Sequence, residues 1–375
     1  MKTLIATGTL LILCAVPTLT ALKDTTVSAP AGGRFAVIAY YAGTGRAIDG
    51  YPVEKLTHII FSFLHWNGQR LAFDNARDSA EVVYLVSLKS RHPGLKILVS
   101  LGGWGGCAPC SELFSSERGR HQFAESSLKV LRESGADGID IDWEYPAIAG
   151  YPGHEYSPGD RHNFTLLVED LRRTLGTGYE ISFAAGGFTE CLMASFEWKE
   201  VMKVVDRVNL MTYDLVNATS PATGHLTPLF STPRQKESTD NAVRIADSLG
   251  VDRRKVVIGA AFFGRVWRDV AGEGNGLFQA GKFQNYITYR DLDGFFRKDD
   301  SFRTYRDSTA QAPYSYASKS RLFATYDDPR SVTLKTKYAM EKGLGGIMFW
   351  ELTGDMKGNG LLDAIDGARN DNQRQ

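Results

Sequence analysis

Eight short runs of β-branched, aromatic and small apolar residues punctuate the chain, at 35–41, 58–63, 96–101, 138–144, 179–185, 207–214, 255–263 and 345–350. Runs of this length and composition read as strands, and amphipathic stretches separate most of them. Phe164, Leu167, Val168, Leu171 and Leu175 fall on one face of a helix that Gly176 ends, and Pro329 opens another that stops just before Gly343. Strand and helix therefore alternate, which predicts an α/β protein built as a parallel (β/α)8 barrel spanning 33–265 and 323–368. No G-x-G-x-x-G follows the first strand, so a doubly wound dinucleotide fold is disfavoured.

One interval breaks this rhythm. From 266 to 322 the chain is rich in Gly, Tyr, Phe and charge without a clear helical period, yet Tyr286, Tyr289, Phe295, Phe296, Phe302 and Tyr305 are too many aromatics for a disordered loop. A small inserted α+β domain is expected there. Barrels carry insertions on their βα loops, so it should wall one side of a cleft at the catalytic face.

Composition excludes several classes. The 375 residues hold 43 Lys plus Arg against 43 Asp plus Glu, so no basic excess marks a nucleic-acid partner. Met1-Lys2, the apolar run through Leu10-Leu11-Ile12-Leu13 and the small residues to about Ala21 follow the pattern of a cleaved signal peptide, residues 1–21. The run is shorter than the ~20 residues a membrane span needs. A secreted, soluble chain without membrane contact is expected, and Leu13 is bulkier than the small residue a lipoprotein signal places before its Cys, here Cys14. Cys107 and Cys110 form a natural pair for a loop staple, whereas Cys191 reads as a buried thiol. Nothing in the pattern calls for a metal, a cofactor or an oligomer, so a monomer is expected.

The chemistry concentrates in Asp137-Gly138-Ile139-Asp140-Ile141-Asp142-Trp143-Glu144-Tyr145-Pro146. Side chains alternate along a strand, so Asp140, Asp142 and Glu144 share one face while Ile139, Ile141 and Trp143 share the other. The acidic face should look into the barrel. Carboxylates about 6.5–7 Å apart in a desolvated space repel one another, so at least one should keep its proton near neutral pH and serve as a general acid. Glu144 lies at the strand's C-terminal end, where barrel enzymes carry their chemistry.

The spacing Asp137-x-x-Asp140-x-Asp142-x-Glu144 resembles the DxxDxDxE signature of family 18 glycoside hydrolases, the chitinases and their relatives. Ser100-Leu101-Gly102-Gly103-Trp104 is similar to the family's SxGG motif on the third strand, and Met211-Thr212-Tyr213-Asp214 to its MxYD on the sixth. Gly345-Gly346-Ile347-Met348-Phe349-Trp350 looks like the eighth-strand segment whose Trp floors the sugar site. The resemblance implies hydrolysis of chitin or chitooligosaccharides with the substrate's own acetamido group as nucleophile. Glu144 would be the acid and base, Asp142 would bind the acetamido nitrogen, Asp140 would share a proton with Asp142, and Tyr213 would hold the acetamido carbonyl. Asp214, Trp350, Met211, Met348, Tyr40, Phe63, Gly102, Gly103, Tyr145 and Arg265 would line the central subsite, with Trp104 as a sugar platform.

Two positions depart from the family pattern. Phe263 stands where Tyr is common before Gly-Arg, and Thr44 where some relatives place an aromatic for a remote subsite. Competing readings are a hydrolase of a related glycan, such as an N-glycan core or peptidoglycan fragments, and a chitin-binding lectin on the same fold. Retention of Glu144, Asp142 and Tyr213 together counts against the lectin.

Overall fold

Alternation along the strands sorts side chains into two concentric cores. A computed structural model describes residues 35–372, and the expected signal segment lies outside them. Its strands are β1 (Ala36–Tyr41), β2 (His58–Asn67), β3 (Arg70–Ala72), β4 (Lys96–Gly102), β5 (Gly138–Asp142), β6 (Glu180–Gly186), β7 (Arg207–Met211), β8 (Val256–Ala261), β9 (Phe263–Arg268), β10 (Lys282–Thr288), β11 (Phe302–Asp307), β12 (Ala312–Ala317), β13 (Leu322–Tyr326) and β14 (Gly346–Trp350). Eight of these, β1, β2, β4, β5, β6, β7, β8 and β14, pair in parallel, and β1 meets both β2 and β14. The sheet thus closes into a (β/α)8 TIM barrel, with β3 a short antiparallel hairpin on β2.

Ile139, Ile141, Phe183, Leu210, Ile258 and Phe349 point outward and pack with helix residues such as Phe123, Phe164 and Leu171. Ile38, Tyr40, Ile60, Leu98, Met211, Val257 and Met348 point inward and fill the barrel. Helix ends follow the sequence signals. Gly176 caps the helix Asp160–Leu175 at φ 67°, and the helix Pro329–Glu341 opens with a reciprocal cap between Asp328 and Ser331.

A second, antiparallel sheet in the order β10-β9-β13-β12-β11 follows β8. It runs from Phe263 to Tyr326, a few residues outside 266–322, because the run at 255–263 breaks at Phe262 and Phe263 already belongs to the new sheet. The helix Tyr289–Phe296 lies between β10 and β11. At eight residues it is too short to declare a 3.6 period in the sequence. The sheet buries Trp267, Tyr316 and Phe323 on one face and Val266, Leu292 and Ala324 on the other.

Where the chain returns to the barrel, Lys335 Nζ donates to Asp327 Oδ2 at 2.7 Å and to Thr227 Oγ1 at 2.6 Å, and Asp327 Oδ2 also accepts the Ala261 N–H at 2.9 Å. Both charged side chains are fully buried. A pair of this kind fixes placement more than it adds stability, since desolvation offsets most of the attraction.

The opposite end of the barrel is closed by Glu180, at the start of β6, which receives Arg207 Nε and Lys96 Nζ at 2.7 Å each and lies 3.4 Å from His58 Nε2. Burial works to raise the Glu180 carboxyl, but His58, Arg207 and Lys96 outweigh it and hold it below the usual carboxylate range. A depressed carboxyl contributes stability above its unfolded pKa, about 4.3, and loses it as the pH falls further. Glu180→Gln is therefore expected to lower stability by about 1–3 kcal/mol at pH 7. Urea midpoints should differ clearly at pH 7 and converge toward pH 3; equal midpoints at pH 7 would contradict a stabilising role.

Candidate active site

Asp140 sits in the middle of β5, wholly buried, with four donors around it. Tyr40 Oη and Ser100 Oγ donate to Oδ2 at 3.1 and 2.8 Å, while Ser182 Oγ and Asn209 Nδ2 donate to Oδ1 at 2.6 and 3.2 Å. Ser100 and Ser182 stand directly beside Asp140 in the register of the flanking strands. Burial raises the Asp140 carboxyl, and the four hydrogen bonds work against that rise.

Asp142, the next inward position, has no such support. Its Oδ1 is buried without a hydrogen-bond partner. Burial, then the charges of Glu144 and Asp140, hold its carboxyl well above the ordinary range. Among the described residues Asp142 makes no hydrogen bond to Asp140, whose four donors come from other strands. The expected proton sharing thus has no direct bond behind it in this arrangement.

Glu144 lies two residues beyond β5, half-buried. Burial pushes its carboxyl up to about 7, with the Tyr145 hydroxyl opposing and the Asp214 charge adding. Tyr213 is drawn into the same field: its phenol is pushed well up by burial first and then by Asp142 and Glu144. Its hydroxyl lies 4.0 Å from Met348 Sδ. Non-proline cis peptide bonds at Ser62-Phe63, Glu144-Tyr145 and Trp350-Glu351 occur at this same rim.

The aromatic residues divide by exposure. Trp350 is half-buried, with Phe63 stacked on it at 5.5 Å and 16° and Tyr40 tilted against it at 6.0 Å. Tyr145 meets Phe188 edge-on at 5.3 Å. Tyr40, Met211 and Met348 are buried in the inner core, so they support the site from below and offer a ligand no open face. Trp104 is 57% exposed and meets Tyr151 edge-on at 5.5 Å.

Gly102 and Gly103 shape the site by lacking side chains. A Cβ at Gly102, φ 103°, would lie 2.3 Å from the Asp142 carbonyl oxygen, and one at Gly103, φ 76°, would lie 2.3 Å from the Phe63 ring. Only glycine lets the third strand of the barrel pass this close to both. The loop that follows is stapled by the Cys107–Cys110 disulfide, Cα atoms 5.2 Å apart. Cys191 is free and buried, its thiol pushed up to about 12 by burial.

From the second sheet, Arg265 on β9 makes a two-pronged bond to Asp214, Nε to Oδ1 at 2.9 Å and a terminal nitrogen to Oδ2 at 2.6 Å. The rim therefore combines a carboxyl that holds its proton near neutrality, a second desolvated carboxyl with an unpartnered oxygen, an indole face and a fixed ion pair. That set can donate a proton to a leaving group and receive an N–H where positive charge develops.

Residues 36–355 match the model of the Glycosyl hydrolases family 18. The chain belongs to glycoside hydrolase family 18. This family-18 chain is 34% identical over 299 residues to Chitinase A1 of Niallia circulans, covering 72% of the chain and 42% of that relative. It is 31% identical over 348 residues to an endochitinase of Manduca sexta, covering 84% and 62%. The chain thus spans less than two thirds of the length of either relative. Among solved structures it is similar to a family 18 N-acetylglucosaminidase of Paenibacillus barengoltzii, with TM-score 0.81, 34% identity and coverage of 89% of this chain and 99% of that one.

Ser182 and Asn209 escaped notice in the sequence although they hold Asp140. Their signal is a polar residue at an inward position with an apolar neighbour on either side, in Ile181-Ser182-Phe183 and Val208-Asn209-Leu210. Tyr151 and Tyr286, both 40% exposed, carried no motif.

The raised carboxyl has a stability consequence. A Glu144 pKa near 7, against about 4.3 unfolded, means that the folded protein loses stability as the pH rises between those values. Glu144→Gln removes that ionisation, so it should be more stable than the parent by about 1–3 kcal/mol at pH 8 and equal to it at pH 4. Denaturant midpoints at the two pH values check this; no gain at pH 8 would mean that the carboxyl is not desolvated.

Proposed function

We propose that this chain is a secreted chitinase that hydrolyses β-1,4 links between N-acetylglucosamine units by substrate-assisted, retaining catalysis. The observation that carries the reading is the pairing of Glu144, its carboxyl raised to about 7, with the desolvated Asp142, whose own carboxyl the Glu144 charge helps to raise. Glu144 protonates the glycosidic oxygen while the acetamido oxygen of the sugar on Trp350 attacks C1. The C1–O bond to the leaving sugar breaks, and a cyclic oxazolinium ion forms. Asp142, whose unpartnered oxygen supplies an acceptor for the acetamido N–H, stabilises that cation. Tyr213 holds the acetamido oxygen in line, and Asp214, fixed by Arg265, binds a hydroxyl of the same sugar. Glu144, now ionised, takes a proton from the water that opens the ring. Two inversions at C1 leave the β anomer. Holding the nucleophile within the substrate spares a bimolecular encounter, an advantage of up to about 7–11 kcal/mol in the best model systems.

The second sheet, reaching the groove through Arg265, supports a walled cleft for a linear sugar chain. The names of the relatives, Chitinase A1 and endochitinase, agree with this substrate class. Export follows from the pattern at residues 1–21, and a monomer suffices because every proposed role falls within one chain. A second reading, release of single N-acetylglucosamine units from chain ends, is favoured by the similarity to the Paenibacillus barengoltzii N-acetylglucosaminidase.

Incubation with N-acetylglucosamine hexamer tests both. Dimers and trimers released first as β anomers are expected, with activity cut by about 10³-fold or more in Glu144→Gln. Monomers released first would favour the second reading, and α products by NMR would exclude substrate assistance. Because the acid must be protonated, kcat/KM should fall above about pH 7 by about tenfold per pH unit. A profile flat to pH 9 would remove Glu144 as the acid.

A further inference from the structure

Strand β10 does not run straight along β9. Phe283 pairs with Trp267 and Asn285 with Val266, so Gln284 is the extra residue of a bulge, and beyond it Tyr286 stands opposite Arg265. An uninterrupted ladder would place Asn285 there and turn Tyr286 to the other face, because a slip of one residue reverses every side chain that follows. Directly opposed residues share a face, and so does Phe263, two residues before Arg265. Tyr286 lies on Phe263 with ring centroids 5.0 Å apart and planes at 25°. The Arg265 guanidinium is 5.6 Å from the Tyr286 ring centre, and Phe263 meets Tyr213 edge-on at 5.8 Å.

Exposure decides which of these rings a ligand would meet. Phe263 is 1% exposed and Tyr286 is 40% exposed, so the surface presented at this point of the wall belongs to Tyr286. Its hydroxyl makes no hydrogen bond among the described residues. Burial pushes the phenol up to about 12, the Glu351 charge adding and Arg265 opposing, so it keeps its proton throughout the neutral range. An aromatic face with a free hydroxyl, directly opposite the arginine of a fixed Asp214–Arg265 bridge, suits a pyranose ring, whose C–H face lies on aromatic carbon and whose hydroxyls seek polar partners.

We propose that Tyr286 is a sugar-contacting residue of the groove, its ring and hydroxyl together holding an N-acetylglucosamine unit beside the Asp214–Arg265 pair. This rests on the reading that the groove takes a chain of N-acetylglucosamine units. Packing alone would need only a ring at this position, and Tyr286→Phe keeps the ring while removing the hydroxyl.

The test uses N-acetylglucosamine tetramer with the full chain. Its binding is measured by calorimetry in a Glu144→Gln background, with and without Tyr286→Phe or Tyr286→Ala, and kcat and KM are measured in the active parent. Tyr286→Phe is expected to weaken binding and raise KM by about 3- to 10-fold, with kcat changed less than about 2-fold and an unchanged melting temperature. Tyr286→Ala should weaken binding further. Equal affinities for all three proteins would overturn the proposal, as would a loss confined to Tyr286→Ala and matched by a lower melting temperature. A parent that cleaves the tetramer while Tyr286→Phe binds like the parent removes only Tyr286. A parent that fails to cleave, yet whose binding still depends on the Tyr286 hydroxyl, keeps Tyr286 and removes the hydrolase reading; a parent that does neither overturns both.

Discussion

Asp140 places an ionisable group at the axis of a parallel barrel, where removal from water works against its charge, and four strands answer with donors. Tyr40 comes from β1, Ser100 from β4, Ser182 from β6 and Asn209 from β7. The middle layer of the barrel is polar for this reason, although the residues around it are apolar. One layer higher the support ends: Asp142 keeps an oxygen without a donor and lies between the charges of Asp140 and Glu144. Satisfaction below and want above direct the electrostatic strain toward the open rim, the one place where an incoming molecule can relieve it.

The rim is held from two sides. Beneath it, Tyr40, Met211 and Met348 fill the barrel and carry Trp350 and Tyr213. From the second sheet, Arg265 grips Asp214 and Phe263 abuts Tyr213, so the wall touches the residues that follow β7 directly. The buried Lys335–Asp327 pair ties the far end of that sheet to β8 through the Ala261 N–H. Placement of the wall thus depends on a charge pair at each of its roots, one fully buried and one at the partly exposed rim.

Much of this was legible in the sequence, and the reasons differ by feature. The barrel strands were visible because each is a dense apolar run, and the inward turn of Asp140 and Asp142 because strand alternation admits no other arrangement once Ile139 and Ile141 face the helices. The partners of Asp140 were hidden, since one serine or asparagine between apolar neighbours has no periodicity and its meaning arises only from register with a neighbour far along the chain. The exposure of Tyr286 depends on the bulge at Gln284, which is set by pairing with β9 and leaves no local mark. Burial of Tyr40 and Met348 likewise could not be separated from surface lining by residue type, because the same side chains serve in both places.

The second sheet leaves and re-enters the barrel through neighbouring strands. Gly264 on β9 pairs with Tyr326 on β13, so the sheet's first and last strands are hydrogen-bonded to each other. The segment between 269 and 321 is joined to the barrel by this clasp and by bonds to the loop after β7, among them Thr223 N–H to the Gln279 carbonyl at 2.8 Å and Leu229 N–H to the Ala310 carbonyl at 3.0 Å. Changes of length or shape there leave the barrel's own ring of pairings untouched, so groove depth and the chemistry at the end of β5 are separate variables: evolution or an engineer can reshape the wall while the acid strand stays as it is.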